Sequence, residues 1–145
     1  MRSRGVTARV PAKVNLQLSV GPLGADGFHE VTTVFQAISL FDDVTVATAE
    51  KGEGIKISIT GQTSGGVPAD NSNLAVKAAQ LMIKNYDLPE DLVIKLKKEI
   101  PVAGGMAGGS ADAAGVIVGL DSLFELGLSR DVMESVGSKI GSDVP

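Results

Sequence analysis

The composition of this 145-residue chain excludes several classes of protein. Its 13 basic and 17 acidic residues give a net charge of −4, which argues against binding nucleic acids or membrane surfaces through clustered cations. With no cysteine and one histidine, it lacks the residues for disulfides or a structural zinc site. No apolar run reaches the roughly 18–20 residues of a membrane span, and residues 1–10 have no apolar segment of the kind that a secretory signal needs. We expect a single cytoplasmic domain.

The hydrophobic pattern predicts a β-rich first half. Alternating apolar and polar side chains indicate five strand segments. These are residues 6–20, 28–40, 41–49, 55–60 and 92–100. Pro11 interrupts the first segment near its start, and the second and third are expected to pivot on Asp42 and Asp43. A hairpin is expected next, with residues 51–54 breaking the chain before the fourth segment. Glycine and proline in residues 61–72 predict a long loop.

Three helices are predicted in the second half. The first begins at Asn71 or Ser72, either of which can cap a helix, and ends before Pro89. The second follows a glycine-rich stretch and covers residues 110–126, and the third begins at Ser129, a plausible N-cap. Strands first and helices later indicate an α+β fold with helices packed on one face of a sheet.

A stretch of small residues is the most unusual feature of the sequence. Residues 101–115 read PVAGGMAGGSADAAG, with five glycines and five alanines. A strand, a glycine-rich loop and a helix in that order form an anion site, because free backbone N–H groups and the helix dipole point at one spot. The stretch lacks the lysine of a Walker A loop, and its paired glycines do not fit G-x-G-x-x-G. It therefore predicts a phosphate loop of a different kind.

Two interpretations of this loop are open. In one, the small residues only let a helix pack tightly on the sheet. In the other, the loop holds phosphate, and Ser110 caps the helix or meets a phosphate or its Mg²⁺. Without a P-loop lysine, the phosphate charge needs other cations. Lys13, Lys98 and an ATP-bound Mg²⁺ are the candidates.

Five motifs, taken in their order along the chain, resemble one known superfamily. They are PAKVNLQLSV, DGFHEVTTVF, DNSNLAVKAA, PVAGGMAGGSADAAG and GSDVP. Together they resemble the galactokinase, homoserine kinase, mevalonate kinase and phosphomevalonate kinase (GHMP) superfamily. The pair PAK-N and DGFH resembles the branch that phosphorylates the 2-hydroxyl of 4-diphosphocytidyl-2-C-methyl-D-erythritol in the non-mevalonate isoprenoid pathway.

The resemblance implies a fold and a domain organisation. Such kinases have an N-terminal domain like domain 2 of ribosomal protein S5, a ferredoxin-like C-terminal domain, and an active site between them. They are about twice as long as this chain. Residues 1–145 are therefore expected to be the N-terminal, ATP-binding domain, without the C-terminal domain and inactive alone.

The resemblance also implies catalytic and substrate-binding roles. Asp143 would accept the proton of the substrate hydroxyl, and Lys13 would keep that carboxylate ionised and neutralise the moving phosphoryl group. Asn15, on the same strand face as Lys13, would contact the methylerythritol. The remaining substrate residues are expected to be Phe28, which would stack on cytosine, His29, which would hydrogen-bond its edge, and Phe35, which would frame the pocket.

The ATP site is implied in the same way. It comprises Asn73 and Lys98 together with a continuous loop. The loop residues are Pro101, Val102, Ala103, Gly104, Gly105, Met106, Ala107, Gly108, Gly109, Ser110 and Ala111. Ser110 is also the candidate ligand for an ATP-bound Mg²⁺. The sequence departs from the family pattern at Met106 and Ala107, where leucine and glycine are usual, and at Ala111 and Asp112, where serine or asparagine is usual.

Two alternatives fit part of this pattern. A GHMP kinase of the mevalonate or homoserine type would share the glycine loop, but it leaves DGFH unexplained. A non-catalytic, RNA-binding module on the S5-like fold would need a basic face, which the acidic composition disfavours. Taken singly, a lysine on a strand is usually solvated and an aspartate beside proline usually forms a turn, so the combination carries the kinase interpretation.

Overall fold

The computed structural model describes residues 4–145. In this range it has four strands and three helices. In chain order they are β1 Gly5–Leu23, β2 His29–Thr48, β3 Ile55–Thr60, α1 Leu74–Tyr86, β4 Leu92–Lys97, α2 Gly108–Phe124 and α3 Arg130–Ser138. No helix of the described range is long and apolar enough to cross a membrane.

The strands form one sheet in the order β1-β2-β4-β3. Strand β2 pairs in the antiparallel sense with both β1 and β4. Strand β3 pairs in parallel with β4, and helix α1 is the connection between these two strands. The hairpin expected before residues 55–60 is therefore wrong, because β3 lies beside β4 and does not pair with β2. A parallel pair needs a crossover connection, which α1 supplies.

One face of the sheet is covered by the helices. Val44 and Val46 of β2 and Ile94 and Leu96 of β4 are buried at alternate positions, as expected when only one face meets the core. Helix α2 packs on β1 and β2, and α1 and α3 contact α2. The prediction of an α+β fold with helices on one face of a sheet is confirmed.

Small residues let α2 lie close to the sheet. A Cβ added at Gly119 would lie 2.8 Å from Val46 Cγ2, and one at Gly115 would lie 3.0 Å from Val44 Cγ2. Such distances leave no room for a larger side chain. Tight packing against the sheet therefore explains the glycines in the body of α2. It does not explain the small residues of the loop that precedes the helix.

The first two strands are longer than predicted. Asp42 and Asp43 do not mark a break, because they lie inside the single strand β2. Pro11 is also within a strand, next to a register shift in the β1–β2 pairing. Bulges of this kind accommodate residues that cannot join a regular ladder. Strand β4 pairs only with residues 43–48 of β2, so residues 12–23 of β1 and 29–38 of β2 form a two-stranded arm that extends beyond β4.

The caps of two helices show how local chemistry sets their starts. Ser129 caps α3, as predicted, by accepting a hydrogen bond from Val132 N. The predicted caps of α1 were Asn71 or Ser72, but the cap is Asn73, whose Oδ1 accepts from Ala75 N at 2.9 Å. Ser72 is unavailable because its backbone N–H and hydroxyl both bind Asp70 in an Asx turn.

Candidate functional site

The glycine-rich loop reaches α2 through three residues with left-handed backbone. These are Ala103, Gly105 and Ala107, with φ of 58°, 71° and 56°. A Cβ is sterically unfavourable in the left-handed region of backbone angles, and glycine has no Cβ. Glycine would suit position 107 better than alanine, because this residue is the N-cap of α2 and has positive φ. Ala107 keeps the loop geometry at a cost in stability.

The start of α2 is open to an anion. Among residues 4–145 no side chain caps this helix, and the first backbone bond at its start runs from Ala111 N to Ala107 O at 2.8 Å. The N–H groups of Gly108, Gly109 and Ser110 precede that bond and have no partner in the helix. Free N–H groups at the positive end of a helix dipole favour phosphate oxygens. Ser110 is the third residue of α2, so it does not cap the helix.

Gly108 allows the helix start to sit directly on the end of β4. A Cβ at this position would lie 3.0 Å from Ile100 Cγ2 and 3.2 Å from Lys98 Nζ. Both distances are tighter than ordinary van der Waals contact. Glycine at this position therefore sets how close the loop and the helix come to Lys98.

Lys98 is the centre of a buried ion triad. Its ammonium donates hydrogen bonds to Asp42 Oδ2 and, at 2.6 Å, to Asp112 Oδ2. All three side chains are at most 3% exposed. Asp42 Oδ1 also accepts the backbone N–H groups of Glu99 and Ile100, at 2.6 and 2.9 Å. The triad therefore ties β2, the end of β4 and the first turns of α2 together.

The triad changes the expected role of Lys98. Two carboxylates already surround its ammonium, so the cluster has no surplus positive charge to offer a phosphate when both are ionised. Burial raises the pKa of the Asp112 carboxyl to about 7, against the opposing effect of Lys98. Asp112 Oδ1 is buried and has no hydrogen-bond partner among the described residues.

Lys13 is the ammonium that remains available to a ligand. It lies on β1, and its backbone N–H donates to Met106 O at 3.2 Å, which joins the strand to the loop. Its Nζ donates to Asn15 Oδ1 at 2.8 Å and lies 5.3 Å from the centre of the Phe35 ring. Within residues 4–145, Lys13 forms no ion pair with a carboxylate, and this includes Asp143.

A pocket of about 480 Å³ brings most of the predicted site together. Lys13, Asn73, Lys98 and Asp143 all line it, together with the loop. The loop residues at its wall run without interruption from Pro101 to Ser110. Ala111, which was predicted to belong to the site, does not line the pocket, because it packs against the hydrophobic core.

The amide of Asn73 is already used by the protein. Its Oδ1 caps α1, and its Nδ2 donates to Pro68 O at 2.7 Å. Asn73 is 7% exposed at the wall of the pocket. Its side chain therefore fixes the loop before α1 against the helix, which shapes the pocket wall.

The four other predicted substrate residues lie outside this pocket, on the arm or in its connecting turn. They are Asn15 of β1, Phe28 just before β2, and His29 and Phe35 of β2. Phe28 is 73% exposed and Phe35 is 58% exposed. His29 Nδ1 lies 2.8 Å from Gly21 O. A carbonyl only accepts, so Nδ1 carries a proton and Nε2 of the neutral ring is left as an acceptor. Asn15 connects the two regions through its bond to Lys13.

Sequence reasoning missed the two buried acids that pair with Lys98, of which Asp112 also lines the pocket. Asp42 and Asp112 were not assigned to any role beyond a turn and a variation of the family pattern. A signal was present in each case. Asp42 follows an apolar segment that continues as a strand, and Asp112 stands in a helix of small apolar residues. Acids at such positions are buried only when they are paired.

Comparison with known proteins connects this geometry to a family. Residues 73–145 match the sequence profile of the GHMP kinases N terminal domain. The chain belongs to the GHMP kinase family. The match covers α1, β4, the glycine-rich loop, α2 and α3. It includes the whole pocket wall except Lys13 of β1 and three residues of the loop before α1, which are Val67, Pro68 and Ser72.

Individual relatives agree with this membership. The chain is 51% identical over 140 residues to the 4-diphosphocytidyl-2-C-methyl-D-erythritol kinase of Mycolicibacterium smegmatis, which covers 97% of this chain and 42% of the relative. It is 34% identical, with a TM-score of 0.71, to a solved 4-(cytidine 5'-diphospho)-2C-methyl-D-erythritol kinase, over 97% of this chain and 47% of that one. This GHMP kinase chain thus spans less than half the length of these relatives.

The GHMP kinase fold alone does not decide the reaction. The mevalonate pyrophosphate decarboxylase of Streptococcus pyogenes matches 99% of this chain and 45% of its own with a TM-score of 0.72, at 15% identity. That similarity concerns the fold only. The reaction has to be argued from the site.

Proposed function

We propose that this chain is the N-terminal, nucleotide-binding part of a kinase that transfers the γ-phosphoryl group of ATP to the 2-hydroxyl of 4-diphosphocytidyl-2-C-methyl-D-erythritol. The observation that carries this proposal is the single pocket that is lined by the uncapped start of α2, by Lys13 and by Asp143. A phosphate site and an acid–base pair in one cavity are the parts that phosphoryl transfer needs. Relatives that are 51% identical in sequence are named as kinases of this same compound.

ATP is proposed to bind with its phosphates at the start of α2. The N–H groups of Gly108, Gly109 and Ser110 would bind phosphate oxygens, and the wall from Pro101 to Ala107 would enclose the nucleotide. Ser110 lines the same pocket, and its hydroxyl would suit a Mg²⁺ that accompanies the phosphates. Such an ion would neutralise phosphate charge during transfer.

Asp143 and Lys13 are proposed to act on the reacting groups. Asp143 is exposed to the pocket, and its carboxylate would accept the proton of the 2-hydroxyl as that oxygen attacks phosphorus. In the described part of the chain Lys13 has no carboxylate partner, so the charge of its ammonium is available to the transferring phosphoryl group. Lys98, enclosed by two acids, would position the loop rather than neutralise phosphate.

The arm is proposed to hold the cytidine end of the acceptor. Phe28 presents an exposed ring on which a pyrimidine can stack. Because Nδ1 of His29 binds Gly21 O, Nε2 would accept a hydrogen bond from the exocyclic amine of cytosine. Uracil has a carbonyl at that position, which gives the arm a means of choosing cytosine. Phe35 and Asn15 flank Lys13 and would bound the methylerythritol portion.

A second domain is proposed to complete the active site. Several large apolar side chains of the arm are half exposed or more in this chain. They are Leu16, Leu18, Val20, Leu23, Val31 and Val34. Packing of a C-terminal domain would cover such side chains and close the pocket. Residues 1–145 alone are expected to show no turnover, and a cytoplasmic location of the complete enzyme is part of this proposal.

The test uses the full-length enzyme with 4-diphosphocytidyl-2-C-methyl-D-erythritol and Mg·ATP. ADP release is measured by a coupled assay, and the product is analysed by ³¹P NMR for a new phosphomonoester on the 2-oxygen. Mevalonate and homoserine are the control acceptors. Turnover of either control, with no reaction of the cytidine compound, would reject the proposed substrate while keeping a GHMP-type kinase.

A further inference from the structure

Three side chains of the arm form a hydrogen-bond chain that ends at Lys13. Thr33 Oγ1 donates to the backbone carbonyl of Gln17 at 2.8 Å. Asn15 Nδ2 donates to Thr33 Oγ1 at 2.7 Å, and Lys13 Nζ donates to Asn15 Oδ1 at 2.8 Å. The chain crosses from β2 to β1, because Thr33 belongs to β2 and the other two residues to β1.

The direction of every bond in this chain is fixed by chemistry. A backbone carbonyl only accepts, so it takes the single hydroxyl proton of Thr33. Thr33 Oγ1 can then only accept a hydrogen bond from Asn15, which must present its NH₂ group. The opposite end of the amide, Oδ1, therefore faces Lys13, whose ammonium only donates. One orientation of Asn15 satisfies all the groups.

The local strand geometry provides the carbonyl that starts the chain. The register of β1 against β2 shifts between Asn15 and Gln17, which leaves Leu16 without a partner in the ladder. A bulge disrupts ladder hydrogen bonds and turns side chains to new directions. At this bulge the carbonyl of Gln17 accepts a side-chain hydroxyl, that of Thr33.

We propose that Thr33 is a positioning residue, which fixes the amide of Asn15 and through it the ammonium of Lys13 at the edge of the pocket. Thr33 does not line the pocket, so it acts through Asn15. Without the hydroxyl, the amide is free to turn its NH₂ group toward Lys13, where two donors oppose each other. The ammonium then loses its place beside the loop.

The kinetic consequence rests on the proposed kinase function. In the full-length enzyme, Thr33→Val keeps the β-branched shape and removes the hydroxyl. We expect kcat to fall by about 10- to 100-fold, the effect of losing an aligned charged hydrogen bond at a reacting centre. The KM for ATP is expected to stay the same, because the loop and the start of α2 are not touched. Thr33→Ser restores the hydroxyl and is expected to restore most of kcat.

A second readout does not depend on the reaction. The side-chain amide of Asn15 gives a pair of ¹⁵N–¹H NMR signals, assigned by their loss in Asn15→Asp. We expect this pair to shift in Thr33→Val, to return in Thr33→Ser, and to remain in place in Thr32→Val. Thr32 is the matched control, because it is the exposed neighbour on the opposite face of β2.

The two readouts separate the possible failures. An Asn15 signal that is the same in Thr33→Val and in the unmodified protein overturns the proposal, whatever the substrate of the enzyme. A shifted signal with unchanged kcat overturns the catalytic consequence. A shifted signal in a protein that phosphorylates none of the tested acceptors supports the positioning role and rejects the proposed function instead.

Discussion

Asp112 Oδ2 accepts a hydrogen bond from Lys98 Nζ at 2.6 Å, and this pair spans the glycine-rich loop. Lys98 directly follows β4, and Asp112 lies in the second turn of α2. The same ammonium binds Asp42 of β2. The loop is thus held at both ends. The backbone N–H groups at the start of α2, where the loop ends, therefore keep their positions without a ligand. Preorganised donors of this kind are what a phosphate site needs.

The triad predicts that Lys98→Met strongly destabilises the protein. The substitution leaves two acids buried without their cation, and breaking a buried pair in this way costs about 3–5 kcal/mol. Urea unfolding measures the change. Lys97→Met is the control, because Lys97 is an exposed neighbour, and it is expected to change stability by less than about 0.5 kcal/mol. Equal unfolding midpoints for the two variants would contradict a structural role for the triad.

Asp112 predicts a specific dependence of stability on pH. Burial raises the pKa of its carboxyl from 3.8 to about 7 in the folded protein. The folded state therefore holds this proton more tightly than the unfolded state. The resulting stabilisation is present below about pH 4 and is lost as the pH rises to about 7.

The measurement compares the protein with its Asp112→Asn variant. The free energy of unfolding of the unmodified protein minus that of the variant is expected to fall as the pH rises from 4 to 7, by at most about 1.4 kcal/mol per pH unit, and to level off above 7. The subtraction removes the opposite contributions of Asp43 and Asp91, whose pKa values are lowered by hydrogen bonds from Arg9 and from the backbone of Gly54 and Gly52. A pH-independent difference would show that Asp112 stays ionised.

Ala107→Gly is predicted to stabilise the protein. Ala107 has φ of 56°, where a Cβ costs about 1–2 kcal/mol, and part of that gain is lost to the greater freedom of glycine in the unfolded chain. We expect a net gain of about 0.5–1 kcal/mol in chemical denaturation. Ala114→Gly, in the body of α2, is the control and is expected to lose about 1 kcal/mol. A loss of stability in both variants would contradict strain at Ala107.

Asp143→Asn is predicted to abolish most catalysis in the full-length enzyme. The amide keeps the size of the carboxylate but cannot accept the hydroxyl proton, so kcat is expected to fall by about 10²- to 10⁴-fold. Binding of ATP, measured by calorimetry, is expected to be nearly unchanged, because Asp143 lies outside the glycine-rich loop. Asp131→Asn, an exposed acid on α3, is the control. Normal turnover by Asp143→Asn would remove Asp143 from the proposed mechanism.

Much of the fold was predictable because its signals are local. Alternation of apolar and polar residues marked β3 and β4, and Ser129 marked the start of α3. The glycine-rich loop was recognisable for the same reason, since a backbone that approaches a ligand closely requires small residues in a continuous run. The order of the motifs was enough to predict the GHMP kinase family, which the sequence comparison confirms.

The sequence by itself therefore determined the element types, the family and most of the residues that line the pocket. The tertiary structure decided which strands are neighbours, and it placed β3 beside β4 and made β2 one continuous strand. It also decided that Lys98 lies between Asp42, 56 positions away, and Asp112, 14 positions away. The reason is that the charge state and the role of an ionisable group depend on its neighbours in space, and folding brings those neighbours from distant parts of the chain.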